Sequence, residues 1–319
     1  MNLESAAIRA RASELLGRID AVQLPVPGAG TAGVKLRAAE GEDWSAVATD
    51  ALRLMGTAQQ TWLIYIDELP IFLYTILRSD STGGVQRVRR FLDWFRNDVR
   101  GLPECRHIRW LVTGSVGLDT LVQRYQMADT INSLKHESLT QFADTLAAEM
   151  VVRLANRYEL PLTAGEAQAL VQAVQWPQPY YLQLVFNFLR QLAASTGQPA
   201  GELISKAIDH AVQPGADNDF HHWEQRLFMQ LGRADAEHAV ALLTVAAQGA
   251  GGARPEALLV ELQRRMPDDT EDAQRYKFVE LRDILLRDAY WWLDESSGTR
   301  RYRFRLELLR RWWVRRQQL

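Results

Sequence analysis

The sequence predicts an α/β fold in its first part and a mostly helical second part. Two short apolar runs, Trp62–Ile66 and Ile108–Val112, are predicted strands, and the stretches around them have the apolar spacing of helices. Strands that alternate with helices indicate a parallel sheet. Because both runs are apolar at nearly every position, rather than at every second one, we expect helices to cover both faces of this sheet.

Four further elements are expected in the first part of the chain. Residues 4–20 carry apolar side chains at spacings of three and four, which is typical of a helix. The stretch 25–33 is rich in proline and glycine and is interpreted as a loop. Residues 44–55 and 88–99 are predicted helices. Together these elements give one α/β unit at the start of the chain.

The strand signal stops after about residue 140. Residues 140–210 have helical periodicity, interrupted at Trp176–Pro179, where two prolines cannot lie inside one helix. Residues 211–222 are interpreted as a linker because they contain proline, glycine, aspartate and asparagine. The last hundred residues predict amphipathic helices and then a β-hairpin formed by Tyr290–Leu293 and Arg301–Phe304 around a Ser-Gly turn.

Composition limits the class of protein. The 319 residues have a formal charge of -2, so no overall basic field supports bulk binding of nucleic acid or of an anionic membrane. The single cysteine, Cys105, cannot form an internal disulfide or a thiol cluster, and this fits the reducing cytoplasm. No apolar stretch approaches the roughly 20 residues of a membrane span. We therefore expect a cytoplasmic protein with no membrane partner.

Two adjacent carboxylates, Asp67 and Glu68, follow the first predicted strand directly. Ligands of open α/β sheets bind at the carboxyl ends of the strands, which is where both acids are expected. In a nucleotide hydrolase the first acid, Asp67, would hold Mg²⁺ directly or through water, and Glu68 would polarise the attacking water. The alternative is that both acids only cap the turn after a buried strand.

Two small hydroxyls, Thr113 and Ser115, follow the second predicted strand. Such side chains can hydrogen-bond phosphate oxygens or water without adding bulk, as a sensor of the γ-phosphate would. The alternative is an ordinary polar turn. If the strands are parallel neighbours, these hydroxyls and the two acids belong to the same catalytic site.

Four segments carry a resemblance to a known family. They are Leu63–Pro70, Leu111–Ser115, Trp176–Gln183 and Arg303–Trp313. In this order they resemble the Walker B strand, the sensor-1 strand, the lid and the end of the winged helix in the archaeal-type ATPases of the P-loop AAA+/STAND group. The resemblance covers nearly the whole chain.

The resemblance implies an architecture and a set of ligands. Residues 1–139 would be an N-terminally incomplete P-loop NTPase-like α/β core with a parallel sheet, residues 140–212 an all-helical lid and residues 219–319 a winged-helix domain. ATP and Mg²⁺ would be the cofactors, with Asp67, Pro179 and Tyr180 contacting the nucleotide. ATP between core and lid would act as a switch, and the family also allows a homo-oligomer.

The chain departs from the family at the phosphate-binding loop. That loop needs Gly-x-x-x-x-Gly-Lys-Ser/Thr, because its backbone amides cradle the phosphates and its lysine reaches the β/γ oxygens. The motif is absent: in Gly28–Lys35 the lysine comes one position late and Leu36 replaces the hydroxyl. By the resemblance, the chain lacks the strand, loop and helix that precede residue 2, leaving a gap of roughly 10 Å in the sheet. Either the true start lies upstream, or the chain is a degenerate member that has rearranged to close the gap. ATP hydrolysis is expected to be weak or absent.

The segment from Arg300 to Arg316 concentrates positive charge, with eight arginines and one acid, Glu307. On the wing of a winged helix, Arg300, Arg301 and Arg303 could neutralise DNA phosphates. Alternatively, the arginines lie over tryptophans or pair with acids and hold the domain together. The competing function is therefore a non-enzymatic winged-helix module, a pseudo-ATPase that binds DNA or a protein.

Overall fold

The computed structural model describes residues 24–26, 29–32, 44–57, 61–114, 117–137, 139–213, 218–296 and 298–317. The chain divides into two compact units, Met1–Lys135 and His136–Leu319, which are described separately below. The predicted helix over residues 4–20 lies outside the described residues. The domain boundaries expected from the resemblance stay a prediction.

The first unit contains the predicted strands at the predicted positions. Its elements are β1 Leu24–Val26, β2 Ala29–Ala32, α1 Trp44–Thr57, β3 Trp62–Ile66, α2 Leu69–Ser79, α3 Gly84–Trp94 with a π-helical turn at Phe95–Val99, a 3₁₀ turn at Pro103–His107, β4 Ile108–Val112, α4 Leu118–Arg124 and a 3₁₀ turn at Ala128–Thr130. Strands β3 and β4 pair in parallel, from Trp62 opposite Ile108 to Ile66 opposite Val112. The parallel sheet is confirmed.

One face of the β3–β4 sheet packs against a hydrophobic cluster of this unit. Trp62 and Ile64 of β3 and Trp110 and Val112 of β4 pack against buried side chains from α1, the π-helical turn and the 3₁₀ turn that precedes β4. These side chains are Leu52, Phe95, Val99 and Cys105. Alternate residues of each strand therefore anchor the sheet, as the period of two requires.

The opposite face of the sheet is exposed, which corrects the expectation that both faces are covered. Leu63 is 67% exposed, Tyr65 51% and Leu111 50%. These three residues share a face because Leu63 and Tyr65 alternate along β3 and Tyr65 stands opposite Leu111. An apolar residue at every position shows that a strand can be buried on both faces. It does not show that a helix or another segment of the chain covers each face. None of the described residues covers this face.

The interpretation of residues 25–33 as a loop is wrong in part. Leu24–Val26 and Ala29–Ala32 form a short antiparallel pair. Both strands of a two-stranded sheet are edges, so proline and glycine are tolerated there although they are excluded from a central strand. Lys35 and Leu36 lie outside the described residues.

The second unit is helical apart from one hairpin. Its elements are α5 Asp144–Arg157, α6 Ala164–Val174, α7 Pro179–Thr196, a 3₁₀ turn at Ala200–Leu203, α8 Ile204–Ala211, α9 Asn218–Ala247, α10 Pro255–Arg265, α11 Glu271–Arg287, β5 Trp291–Asp294, β6 Arg301–Phe304 and α12 Glu307–Gln317. The helix break before Pro179 and the antiparallel hairpin are confirmed. The predicted linker is too long, because α9 already begins at Asn218. Within the described chain, no helix has both the length and the apolar character to cross a bilayer.

Aromatic side chains join the helices on either side of residues 214–217 into one core. The ring of Tyr181 on α7 stacks on Phe220 of α9, which in turn contacts Trp312 of α12. Trp223 Nε1 donates a buried hydrogen bond of 2.8 Å to the Tyr181 hydroxyl, and the Tyr290 hydroxyl donates to the Trp223 carbonyl. One hydrophobic cluster contains buried residues from Ala147 to Trp313, on both sides of residues 214–217.

The substitution Tyr181→Phe tests this shared core. It leaves the buried indole N–H of Trp223 without its acceptor, and we expect a loss of about 1–3 kcal/mol in the free energy of unfolding. Urea denaturation followed by tryptophan fluorescence measures this. Tyr276→Phe makes the same atomic change on an exposed side chain of α11 and should be nearly neutral. Equal stability of the two variants would contradict the described packing.

Candidate active site

Thr113 fixes the backbone at the carboxyl ends of both parallel strands. Its N–H donates to the Ile66 carbonyl at 2.9 Å, and its carbonyl accepts from Leu69 N–H at 3.1 Å. Asp67 and Glu68 lie between these two anchoring points and form a two-residue arch that connects β3 to α2. The position of both acids is therefore set by the neighbouring strand and not only by their own turn.

Asp67 and Thr113 also meet through their side chains. Thr113 Oγ1 donates to Asp67 Oδ1 at 2.5 Å, and the Tyr65 hydroxyl donates to the same oxygen at 3.0 Å. These hydrogen bonds, the one from Thr113 first, lower the pKa of Asp67 below its ordinary value because they favour the charged form. Asp67 is exposed, so it is an ionised carboxylate that a ligand can reach.

Glu68 has an unusual backbone conformation. Its φ of 53° and ψ of 39° lie in the left-handed region. Among the described residues four other non-glycine residues have positive φ, namely Gln126, Glu159, Gln175 and Ala289, and each follows the end of a helix, where this conformation is common. Glu68 instead precedes the first turn of α2. Strain of about 1–2 kcal/mol is expected for a side chain there, and such strain is typical of functional sites.

The remaining predicted site residues fall elsewhere. Ser115 lies outside the described residues. Pro179 and Tyr180 begin α7 in the second unit, where Tyr180 is exposed with its ring edge against Tyr181. The proposed nucleotide contact of Pro179 and Tyr180 stays a prediction.

The three arginines predicted to contact DNA each have a partner within the chain. Arg300 pairs with Glu295 at 2.8 Å, and Arg301 Nη1 donates to the Gly252 carbonyl at 3.4 Å. Arg303 pairs with Asp294 at 2.8 Å while its guanidinium lies over Trp292. The geometry corresponds to the alternative in which the arginines hold the fold together.

The Asp294 carboxylate, which pairs with Arg303, accepts further hydrogen bonds within the hairpin. Hydrogen bonds from Ser296 and Arg303 lower the pKa of Asp294 to about 2. The Ser296 hydroxyl and N–H both donate to Asp294 Oδ1, while Arg303 binds Oδ2. Both carboxylate oxygens are thus committed inside the hairpin.

The other arginines of the C-terminal segment are also engaged. Glu307 is buried and accepts from Arg310 and Arg311, whose hydrogen bonds outweigh burial and lower its pKa. Arg315 donates to the carbonyl and carboxylate of Asp209, and Arg316 pairs with Glu224. Acids of its own unit therefore pair with most of the arginines of the basic segment, while Arg305 lies over Trp176.

Sequence reasoning missed Tyr65, whose hydroxyl also lies 3.2 Å from Thr113 Oγ1. A signal was available: residues two apart on a strand point to the same face, so Tyr65 and Asp67 were bound to be neighbours. The signal was overlooked because Tyr65 lies in an apolar strand, where an aromatic side chain is normally expected to pack in the hydrophobic core.

No protein-family model matches the chain, and no curated protein matches it. Among solved structures, the chain is similar to a Walker-type ATPase of Pyrococcus abyssi, with a TM-score of 0.55 and 16% sequence identity. The match covers 86% of this chain and 69% of that chain.

The chain has a P-loop ATPase-like fold. At this identity the likeness concerns the fold alone. In such a fold the carboxyl ends of β3 and β4 are the expected place for a ligand, and Asp67, Glu68 and Thr113 lie at those ends.

The left-handed conformation of Glu68 predicts a ranking of two variants. Alanine keeps a Cβ and therefore the strain, whereas glycine adopts this conformation freely. We expect Glu68→Gly to be more stable than Glu68→Ala by up to about 1 kcal/mol. Thermal unfolding measured by circular dichroism decides the order. A more stable alanine variant would mean that Glu68 is not left-handed.

Proposed function

We propose that the chain is an ATP-binding switch protein of the AAA+/STAND type, with its nucleotide site at Asp67, Glu68 and Thr113. The observation that carries the proposal is the arch held by Thr113 at the carboxyl ends of two parallel strands, since it presents an ionised carboxylate beside a hydroxyl. The ATPase-like fold supports nucleotide as the ligand class. The resemblance of four segments in order supports the AAA+/STAND type.

The residues present fit a magnesium ion. Asp67 offers an exposed, ionised oxygen ligand of the kind that Mg²⁺ prefers. Within the described residues no three acidic, histidine or cysteine side chains converge, so the ion would be held by Asp67, directly or through water, together with phosphate oxygens. Bound there, Mg²⁺ would supply charge neutralisation on the phosphates.

Each protein residue has a proposed role in the site. Glu68 follows Asp67 on the arch and would orient and polarise a water molecule. Thr113 holds the Asp67 carboxylate and would sense the γ-phosphate or the water, with Ser115 as a second hydroxyl. By the resemblance, Pro179 and Tyr180 are further proposed nucleotide contacts. The 319 residues contain no Gly-Lys-Ser/Thr sequence, so hydrolysis is proposed to be weak or absent.

Calorimetric titration of the 319-residue chain with ATP, in Mg²⁺ and in EDTA, tests this proposal. We expect binding that is tighter in Mg²⁺, and Asp67→Asn should weaken binding of the Mg²⁺ complex roughly tenfold or more, because the charged ligand is lost. Glu68→Gln should keep binding. Asp50→Asn removes an exposed carboxylate that pairs with Arg53 on the same helix, and should not change ATP binding.

Two results would contradict the proposal in different ways. Absence of any ATP binding would overturn the nucleotide site. Turnover near the enzyme median of about 10 per second, lost in Glu68→Gln, would instead show that the site is a full ATPase.

A second candidate function rests on the order of elements in residues 233–304. After a kink at Gly232, the second half of α9 is followed by α10, α11 and the β5–β6 hairpin. Ala253, between α9 and α10, exchanges two backbone hydrogen bonds of 3.0 and 2.9 Å with Tyr302 of β6. This helix, bridge, helix, helix, hairpin order supports a winged helix, and thus a non-enzymatic binding module.

Charge favours a protein rather than DNA as the partner of this module. Helix α11, which precedes the hairpin and would be the presented helix, carries four acidic and four basic residues. The wing arginines are paired within the hairpin or with the loop before α10. DNA binding needs lysines and arginines that face phosphates, whereas α11 has no net charge and Asp294 and Glu295 pair with Arg303 and Arg300 of the hairpin.

A salt series with a fluorescent DNA duplex distinguishes the two partners. We expect weak binding whose logarithmic salt slope is the same for the wild-type chain, for Arg301→Ala/Arg303→Ala and for the control Arg53→Ala/Arg87→Ala. If the wing contacts DNA, the slope falls by about 0.9 for each phosphate contact removed. Such a fall in the wing variant alone would restore DNA as the partner.

A further inference from the structure

Tyr65 belongs to the strand that carries the candidate site, yet its hydroxyl takes no part in the core. Its ring lies on the exposed face of the β3–β4 sheet, and its hydroxyl reaches back to Asp67 Oδ1 and Thr113 Oγ1. We propose that Tyr65 is a positioning residue, which holds Asp67 with one carboxylate oxygen hydrogen-bonded and directs the other toward a Mg²⁺–nucleotide complex. This inference rests on the proposed function.

Three oxygen atoms, Asp67 Oδ1, Thr113 Oγ1 and the Tyr65 hydroxyl, form a triangle of mutual contacts. Thr113 Oγ1 and the Tyr65 hydroxyl both donate to Oδ1, at 2.5 and 3.0 Å, and the two hydroxyl oxygens are 3.2 Å apart. Two donors on one oxygen fix the rotation of the carboxylate more narrowly than one donor would. A metal ligand whose rotation is fixed in advance loses less entropy when the ion binds.

The number of hydroxyl protons limits which further hydrogen bonds Thr113 and Tyr65 can donate. Each hydroxyl has one proton, and when both hydroxyls donate to the ionised Asp67 Oδ1, no hydroxyl proton remains for another acceptor. In this arrangement neither Thr113 nor Tyr65 can donate to a phosphate oxygen, which is only an acceptor. Both hydroxyl oxygens can still accept from water. The proposed sensor role of Thr113 is thereby narrowed to orienting a water molecule.

The backbone explains why Tyr65 and not another residue can do this. Asp67 directly follows β3, two residues after Tyr65, and Thr113 follows Val112, which lies opposite Ile66 in the parallel register. The three side chains therefore emerge on one face at neighbouring positions. Phenylalanine at position 65 would keep the ring and the strand but would remove one of the two donors.

The experiment measures metal affinity separately from nucleotide affinity. Mn²⁺, a paramagnetic substitute for Mg²⁺, is titrated into the 319-residue chain saturated with ATP, and free Mn²⁺ is followed by electron paramagnetic resonance. ATP affinity in EDTA is measured in parallel. We expect Tyr65→Phe to weaken Mn²⁺ binding about tenfold, the lower end of the effect of losing a hydrogen-bond partner of a metal ligand, with metal-free ATP affinity unchanged.

A matched control distinguishes positioning from a structural effect. Tyr158→Phe removes the hydroxyl of a tyrosine with similar exposure in the second unit, and should leave Mn²⁺ affinity as in the wild type. Thermal unfolding of Tyr65→Phe should match that of the wild type. A variant that loses metal-free ATP affinity to the same degree as Mn²⁺ affinity would assign Tyr65 a structural role and overturn the inference.

Two outcomes separate this inference from the function on which it rests. If the wild-type chain binds ATP and Mn²⁺, and Tyr65→Phe binds Mn²⁺ equally well, the inference is wrong and the proposed function stands. If the wild-type chain binds neither, the proposed function is wrong and the inference is wrong with it.

Discussion

Thr113 makes the contacts on which the candidate site depends. Its backbone N–H and carbonyl hold the chain on either side of Asp67 and Glu68, and its hydroxyl holds the Asp67 carboxylate. These contacts exist because β3 and β4 run parallel and end together, so that the residue after one strand meets the residue after the other. A shift of one residue in this register would move the Asp67 side chain to the opposite face. The parallel register of β3 and β4 therefore determines both the position of the Asp67 carboxylate and its hydrogen bond from Thr113.

The C-terminal segment shows that charge concentrated in sequence can be used for contacts within the fold. Arg315 meets Asp209, 106 residues earlier in the chain, and Arg316 meets Glu224. Removing one partner of the buried group around Glu307 would leave an uncompensated charge, which costs far more than an exposed pair contributes. The arginines are therefore fixed by the fold of their own unit, and their number alone says little about nucleic acid.

The sequence was informative where local chemistry decides structure. Pro177 and Pro179 cannot lie inside one helix, and the structure has a helix end at Val174 and the next begin at Pro179. The apolar runs at Trp62 and Ile108 are strands, as their alternation with helical stretches predicts. Contacts between distant residues were different. That Leu63 and Leu111 are exposed depends on what lies beside the sheet, and that Arg303 binds Asp294 depends on the register of the hairpin. The acids and Thr113 of the site could be named from the strand ends. The contact between Tyr65 and Thr113 depends on the pairing of β3 with β4, and it could be seen only in the fold.

The exposed face of the sheet and the candidate site are parts of one surface. Tyr65 lies between Leu63 and Asp67 along β3 and stands opposite Leu111 on β4, so its ring belongs to the apolar face and its hydroxyl to the hydrogen-bonded group. Parallel sheets are usually covered on both sides because their strands have little polar surface to show to water. A group that covered Leu63 and Leu111 would also contact the Tyr65 ring, and the lower local dielectric would strengthen the hydrogen bonds to Asp67. The Tyr65 side chain would then link the orientation of the carboxylate to the covering of the sheet face.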